Sequence, residues 1–346
     1  MKSLSLSQKR TIFLICMSVL TLLFFVISIF IGSSKMSIGD VLKTLFGGGD
    51  SVSNIIIFNI RMPRVLAAIV VGAALSISGV IMQTMSNNVM ASPSTLGVSN
   101  AAVLGANVAI IILGGGIISH SGSKPLFDNP YIVSLFAFMF ALGSMILVLT
   151  LARIKKFNNA ITVLIGVTFG TFCTGLTTLV QYFADDQTLG TAIYWAFGDL
   201  GRANYTSVLI VAIVLAISLI FFLLFSYKYN AILLGDATAS TLGINLKWFR
   251  FISLLLASLL CAVSVSLFGI IGFIGLIIPQ IVRRLIGNDH KFLIIGSALL
   301  GSVTLLFSDI ISRILLSGWA LPVGAVTSIL GAPIFIVILL LSRRKK

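Results

Sequence analysis

A chain of 346 residues, 58% hydrophobic and only 9% charged, cannot cover a soluble core with polar surface. With a mean hydropathy of +1.15 it is read as an all-α polytopic membrane protein; its runs are solidly apolar rather than alternating, which argues against a closed barrel. The formal charge of +14 would suit nucleic acid, so where the charges fall matters more than their sum.

Apolar runs bounded by charge, Gly or Pro predict about ten transmembrane helices, near 11–31, 64–86, 95–114, 131–152, 160–183, 205–225, 251–268, 272–286, 292–315 and 323–342. Lys2, Lys9 and Arg10 precede the first run as in a signal peptide. The run from Thr11 to Ile31 is too long for one and no A-x-A site follows, so it is expected to be a retained span. An even number of spans puts both termini on one side. With cytoplasmic termini, the inner segments hold Lys2, Lys9, Arg10, Arg153, Lys155, Lys156, Lys228, Lys247, Arg250, Arg283, Arg284, Lys291 and the tail from Arg343 to Lys346, against only Asp236 and Asp289. The outer side carries Asp40, Asp50, Asp128, Asp185, Asp186 and Asp199. The basic excess is therefore topological, and no nucleic acid partner is implied.

Three connections exceed a turn: 32–63 and 184–204 outside, and 226–250 inside. The inner one is semi-polar, and Ala231 to Leu242 is expected to form one or two short helices along the membrane surface. Gly235 would break or start a helix, Asp236 would sit near an N-terminus, and Gly243 would stop it. Residues 1–346 form one transmembrane domain, with 226–250 as a cytoplasmic loop dividing two sets of spans. The stretch from Gly269 to His290 is apolar but interrupted. Its uncharged part is about 21 Å long as a helix, short for a bilayer, and Pro279 disturbs the turn before it. Such breaks persist in membranes only where protein or a water-filled cavity satisfies the freed groups. An ordinary kinked span explains the stretch equally well.

Chemistry-bearing residues are few. There is no GxxxxGK[ST] loop and no glutamate, and His120 and His290 are far apart in loops, so no catalytic set, metal site or cofactor is predicted. Cys16, Cys173 and Cys261 lie in apolar runs without CxxC spacing and are expected to be buried small hydrophobes. Asp309 is the one acid well inside a span, with Arg313 four residues on; a structural ion pair is favoured over a proton relay. A relay would make the chain an ion-coupled secondary transporter, the rival function. In Arg61-Met62-Pro63-Arg64 the proline can open the second span, leaving both arginines at its outer mouth, on the side where Arg313 also ends. Three arginines there suit an acidic partner, although lipid snorkelling explains any one of them. The Gln83 to Ala101 connection, with Asn88, Met90 and Pro93, is polar and uncharged; this suits a pathway for a bulky solute, while Ser92 or Ser94 can also cap the next helix.

These residues together resemble, over nearly the full length, the permeases of iron-siderophore, haem and cobalamin ABC importers of the FecCD type. The resemblance rests on Arg61-Met62-Pro63-Arg64, Gln83-Thr84 through Leu96-Gly97-Val98-Ser99, Leu234-Gly235-Asp236 with Leu242-Gly243, Gly272-Phe273-Ile274-Gly275-Leu276 through Pro279, Asp289-His290, and Leu321-Pro322-Val323-Gly324 with Gly331-Ala332-Pro333. It implies a type II ABC importer permease fold in a bacterial cytoplasmic membrane, paired as a homodimer or with a close relative. It also implies an extracytoplasmic substrate-binding protein outside and two ATPase subunits inside, with ATP hydrolysis on those partners and not on this chain. By resemblance, Arg61, Arg64 and Arg313 meet acidic residues of the binding protein. Gly235, Asp236, Leu242 and Gly243 match the coupling helices, and Gln83, Asn88, Met90, Pro93 and Pro279 match the pathway and its gate. The sequence departs from the family at Asn87 and Val89, where basic and proline residues are usual, and at Gln280, where a histidine is usual; no proton or metal chemistry is assigned to position 280.

Overall fold

The computed structural model describes residues 5–32, 36–114, 131–154, 159–315 and 320–342; His120, Asp128, Lys155, Lys156 and the basic tail lie outside the described residues. Each of the ten predicted spans falls on a helix. Seven described helices are long and apolar enough to cross a membrane: Leu6–Phe30, Ser51–Met85, Tyr131–Ile154, Ile161–Tyr182, Tyr205–Leu224, Leu246–Phe268 and His290–Ile314. Val98–Ile112 and Val323–Ile338 are shorter. The interrupted stretch gives Ile274–Ile286, 13 residues and about 20 Å.

The elements follow the local signals. Helix α1 (Leu6–Phe30) starts on a Ser5–Gln8 capping box. Helix α2 (Ile38–Leu45) starts on a second box formed by Ser37 and Asp40. Next, α3 (Ser51–Asn54), a π-helical segment Ile55–Arg61 and α4 (Met62–Met85) run on as one 35-residue helix, about 52 Å long. Pro63 therefore does not open this span; the helix passes through it. Proline cannot donate to the carbonyl four residues back, and the wider turn, in which the Met62 amide bonds to the Ile57 carbonyl, accommodates the ring. Then follow α5 (Val98–Asn107) with a π-helical extension to Ile112, α6 (Tyr131–Ile154), α7 (Asn159–Tyr182), α8 (Asp186–Ala196) and α9 (Tyr205–Leu224). The connection after α9 holds α10 (Ser226–Leu233) and α11 (Asp236–Thr241), and α12 (Leu246–Phe268), α13 (Ile274–Ile286), α14 (His290–Ile314) and α15 (Val323–Ser342) complete the order. Cys173 and Cys261 are buried as expected, whereas Cys16 is exposed, because α1 buries little of its surface against the chain.

The helices group into two compact units, neither of them a continuous stretch of the chain. One comprises 1–80, 199–226 and 271–346; the other comprises 81–198 and 227–270. In the first unit, α4 meets α14 through small residues. A Cβ added at Gly72 would stand 2.5 Å from the Gly301 carbonyl oxygen, the Ser76 hydroxyl donates to the Ser297 carbonyl at 2.7 Å, and Ser302 donates to that of Ile69 at 2.7 Å. Such close approach replaces the hydrophobic drive that lipid cannot supply between helices. In the second unit, α5 and α7 are joined by an amide ladder: Asn100 donates to the Gly170 carbonyl at 3.1 Å and to Thr174 at 3.0 Å, and Gln181 donates to Asn107 at 2.9 Å. Gly97, at φ 77°, fits against Gly166 and Gly170 of α7, where a side chain would meet the Gly166 carbonyl at 2.8 Å.

Candidate functional site

The arginines of the first unit gather around the C-terminal end of α1. A helix leaves its last four carbonyls without intrahelical donors, and α1 carries no basic residue in its last turn. The donors come from elsewhere. Arg61 Nη1 donates to the carbonyls of Ile29 (2.8 Å) and Phe30 (3.2 Å), and Arg313 Nη1 to those of Ser28 (2.9 Å) and Ile31 (2.5 Å), with Arg313 Nη2 on the Ser28 hydroxyl. Gly32 leaves room for this: a Cβ there would stand 2.6 Å from the Arg61 guanidinium. Asp309 closes the cluster. It is fully buried, with Arg64 Nε at 2.7 Å and Arg313 Nη2 at 2.8 Å; Arg64 also donates to Ser312 at 3.3 Å. Asp309 thus sits in a structural ion-pair cluster, the reading favoured from sequence, and Arg64 is a second partner that sequence did not reveal. Three guanidiniums face one carboxylate and the negative end of the α1 dipole, about half a charge, so the cluster is net positive. All three arginines are buried, at 3%, 8% and 5% exposure for Arg61, Arg64 and Arg313.

At its other end α1 is fixed to the α13–α14 turn. Arg10 donates to the Ile286 carbonyl at 3.1 Å and pairs with Asp289 at 3.2 Å. The start of α1 thus lies beside the end of α13, and its end lies beside Arg61 and Arg313, as the alternating span directions require. Pro279 lies inside α13, where it removes the donor for the Gly275 carbonyl. That carbonyl abuts Gly79 of α4, at 1.8 Å from where a Cβ would be. Protein, rather than lipid, surrounds the interrupted turn.

The predicted gate residues 83–93 fall in the second unit, at the end of α4 and the start of the connection to α5. Gln83 is buried at 2% exposure, Met90 is half exposed at 49%, and Pro93 is buried. Asn88 Oδ1 accepts from the Met90 amide at 2.9 Å, a side-chain turn that sets the direction of Met90. Asn87 has φ 41°, a left-handed conformation that asparagine tolerates better than most residues. Ser92 and Thr95 exchange bonds with each other's amides, so Ser92 caps this turn while α5 starts after Gly97. Pro279 belongs to the first unit.

The 226–245 connection forms a helical hairpin, with Gly235 before α11 and Gly243 after it. Gly235 has φ 114° and Gly243 φ 77°, both conformations that cost a side chain energy. Leu234 and Leu242 are exposed at 74% and 64%, which leaves two apolar knobs and the first turn of α11 free for contact. Asp236 forks Arg250 of α12 at 2.6 and 3.0 Å, and the Tyr229 and Ser253 hydroxyls bond at 2.8 Å. Burial pushes the Tyr229 phenol above its ordinary pKa. Sequence reasoning missed Arg250, Tyr229 and the Asn100, Asn107 and Gln181 ladder. Only the odd placement of amides inside apolar runs hinted at the last. No group of three or more His, Cys, Asp or Glu able to hold a metal occurs among the described residues.

Comparison with known proteins points the same way. The FecCD transport family model matches residues 20–341. A Methanocaldococcus jannaschii protein named as an ABC transporter permease is 42% identical, over 96% of this chain and 95% of its own length. The hemin transport system permease protein HmuU of Yersinia pestis is 35% identical, over 83% of this chain and 84% of its own. Among solved structures, an inward-facing metal-chelate type ABC transporter superposes with a TM-score of 0.82 at 28% identity, covering 94% of this chain and 98% of that one. The all-helical architecture is that of type II ABC importer permeases. With the family model matching residues 20–341 and a relative 42% identical along nearly the whole chain, the chain belongs to the FecCD transport family.

Proposed function

We propose that this chain is the membrane-spanning subunit of an ATP-driven importer that carries an iron-siderophore complex, with haem or cobalamin as the other members of the substrate class, into the cytoplasm. Both termini face the cytoplasm, and two chains, identical or closely related, enclose the pathway. Two ATPase subunits bind inside and hydrolyse the ATP, and an extracytoplasmic binding protein delivers the solute. The observation that carries this reading is the exposed α10–α11 hairpin, with its bare leucines and glycine-hinged helix, on a chain without a nucleotide-binding loop of its own. A motor on another chain needs such a handle.

Gly235, Asp236, Leu242 and Gly243 form the ATPase contact. Gln83, Asn88, Met90, Pro93 and Pro279 belong to the pathway and its inner gate, which opens by alternating access. Arg61, Arg64 and Arg313 act in docking through the net positive field of their cluster, since their side chains are occupied by carbonyls and Asp309. The relatives carry hemin and metal chelates by name, which supports the chelate class. Reconstitution in vesicles tests the function. Uptake of ferric chelate should require the ATPase subunits, ATP and the binding protein, and full uptake with none of them overturns the proposal. Titrating the binding protein with ferric siderophores, haem and cobalamin identifies the solute.

A further inference from the structure

The α10–α11 hairpin is fastened to α12 at two points, and both lie on one turn of α12. From α10, the fully buried Tyr229 bonds to Ser253 at 2.8 Å and packs its ring 4.9 Å from that of Phe249. From α11, Asp236 forks Arg250. The Asp236 side chain is 56% exposed and that of Arg250 only 8%, so the ion pair runs from the surface inward. Helix α11 lies between Gly235 and Gly243, both in left-handed backbone conformations, and on these hinges alone it could swing without moving anything else. A bidentate guanidinium–carboxylate fork resists both sliding and rotation, because two bonds must break together. The fork therefore turns a swing of α11 into a push on α12.

Helix α12 carries that push through the second unit, to which the hairpin also belongs. It packs on α6 and α5. Helix α5 begins directly after the connection that holds Asn88, Met90 and Pro93. Packed cores shift as bodies rather than deform. We propose that Arg250 is a positioning residue for transport: through it, displacement of the hairpin reaches α12 and, through the packing of α12 on α5, the 86–97 connection. This rests on the hairpin being the ATPase contact.

The test uses the full complex of this chain with its ATPase subunits in lipid nanodiscs. Val89→Cys on a Cys16→Ser background reports on the connection, read as its rate of modification by a charged thiol reagent with and without ATP and vanadate. In the parent complex the rate should change about fivefold or more between the two states. Arg250→Ala should abolish most of that change while ATP hydrolysis per complex stays within about twofold of the parent, and Arg250→Lys should restore part of it. An undiminished change in Arg250→Ala overturns the inference, and so does a loss matched by an equal fall in hydrolysis, the mark of a merely structural role. If Arg250→Ala does not assemble, Arg250→Lys is read alone: a reduced response at near-normal hydrolysis supports the inference, and an undiminished one overturns it. A parent chain that never retains an ATPase sinks the underlying functional reading instead, and the inference with it.

Discussion

Asp309 is held by two guanidiniums and sees no solvent, so removing its charge leaves Arg64 and Arg313 buried without their counter-ion. Breaking one side of a buried pair costs about 3–5 kcal/mol, far more than an exposed pair. Asp309→Asn should therefore lower the thermal unfolding midpoint in detergent by many degrees. Unchanged melting together with lost uptake would revive the relay reading. Packing gives an equally sharp contrast between glycines. Gly79→Ala would place a methyl group 1.8 Å from the Gly275 carbonyl oxygen, and should prevent stable folding or force α4 and α13 apart. Gly175→Ala meets nothing within 4 Å and should be neutral or slightly stabilising by the same melting measurement. The Asp309–Arg313 pair is legible in sequence because i and i+4 share a helix face. The Asp309–Arg64 pair is not, because 245 residues separate them.

Helix ends and hinges were easier to foresee than helix interiors. Gly235 and Gly243 mark the hairpin because no other residue takes their backbone angles cheaply. Replacing either by alanine should cost about 1–3 kcal/mol locally, seen as faster proteolytic cleavage within 226–245, while the spans keep their melting behaviour. Pro63 misled for a physical reason. Proline suits a first turn, so the span was expected to begin there; a π-helical segment let the helix continue from Ser51 instead. The apolar helices themselves were plain, since a bilayer requires long apolar runs and says so in composition. What α1 needs at its C-terminal end could not be read from α1, because its caps are Arg61 and Arg313, brought from two other helices.

For the assembled importer, the buried cluster of Arg61, Arg64 and Arg313 predicts attraction at a distance rather than contact. Raising ionic strength from about 0.05 to 0.5 M should slow binding-protein association by about tenfold, with dissociation little changed. Stopped-flow association kinetics at several salt concentrations check this, and an insensitive on-rate removes the field's role. The substrate class is the part least legible in either sequence or structure. The 86–97 connection is uncharged, and Asn88 and Thr95 accept from its own backbone, so nothing in it is shaped for one chelate.

The guanidinium cap on α1 also sets an order for biosynthesis. When Arg61 emerges from the ribosome, the bare carbonyls of Ile29 and Phe30 already exist to receive it. Arg64 is less fortunate: its carboxylate is translated 245 residues later, about 12–50 s at ordinary elongation rates. For that interval the nascent second span carries an unneutralised cation at its rim, and quality-control proteases should find the ribosome-bound intermediate far more vulnerable than the finished chain.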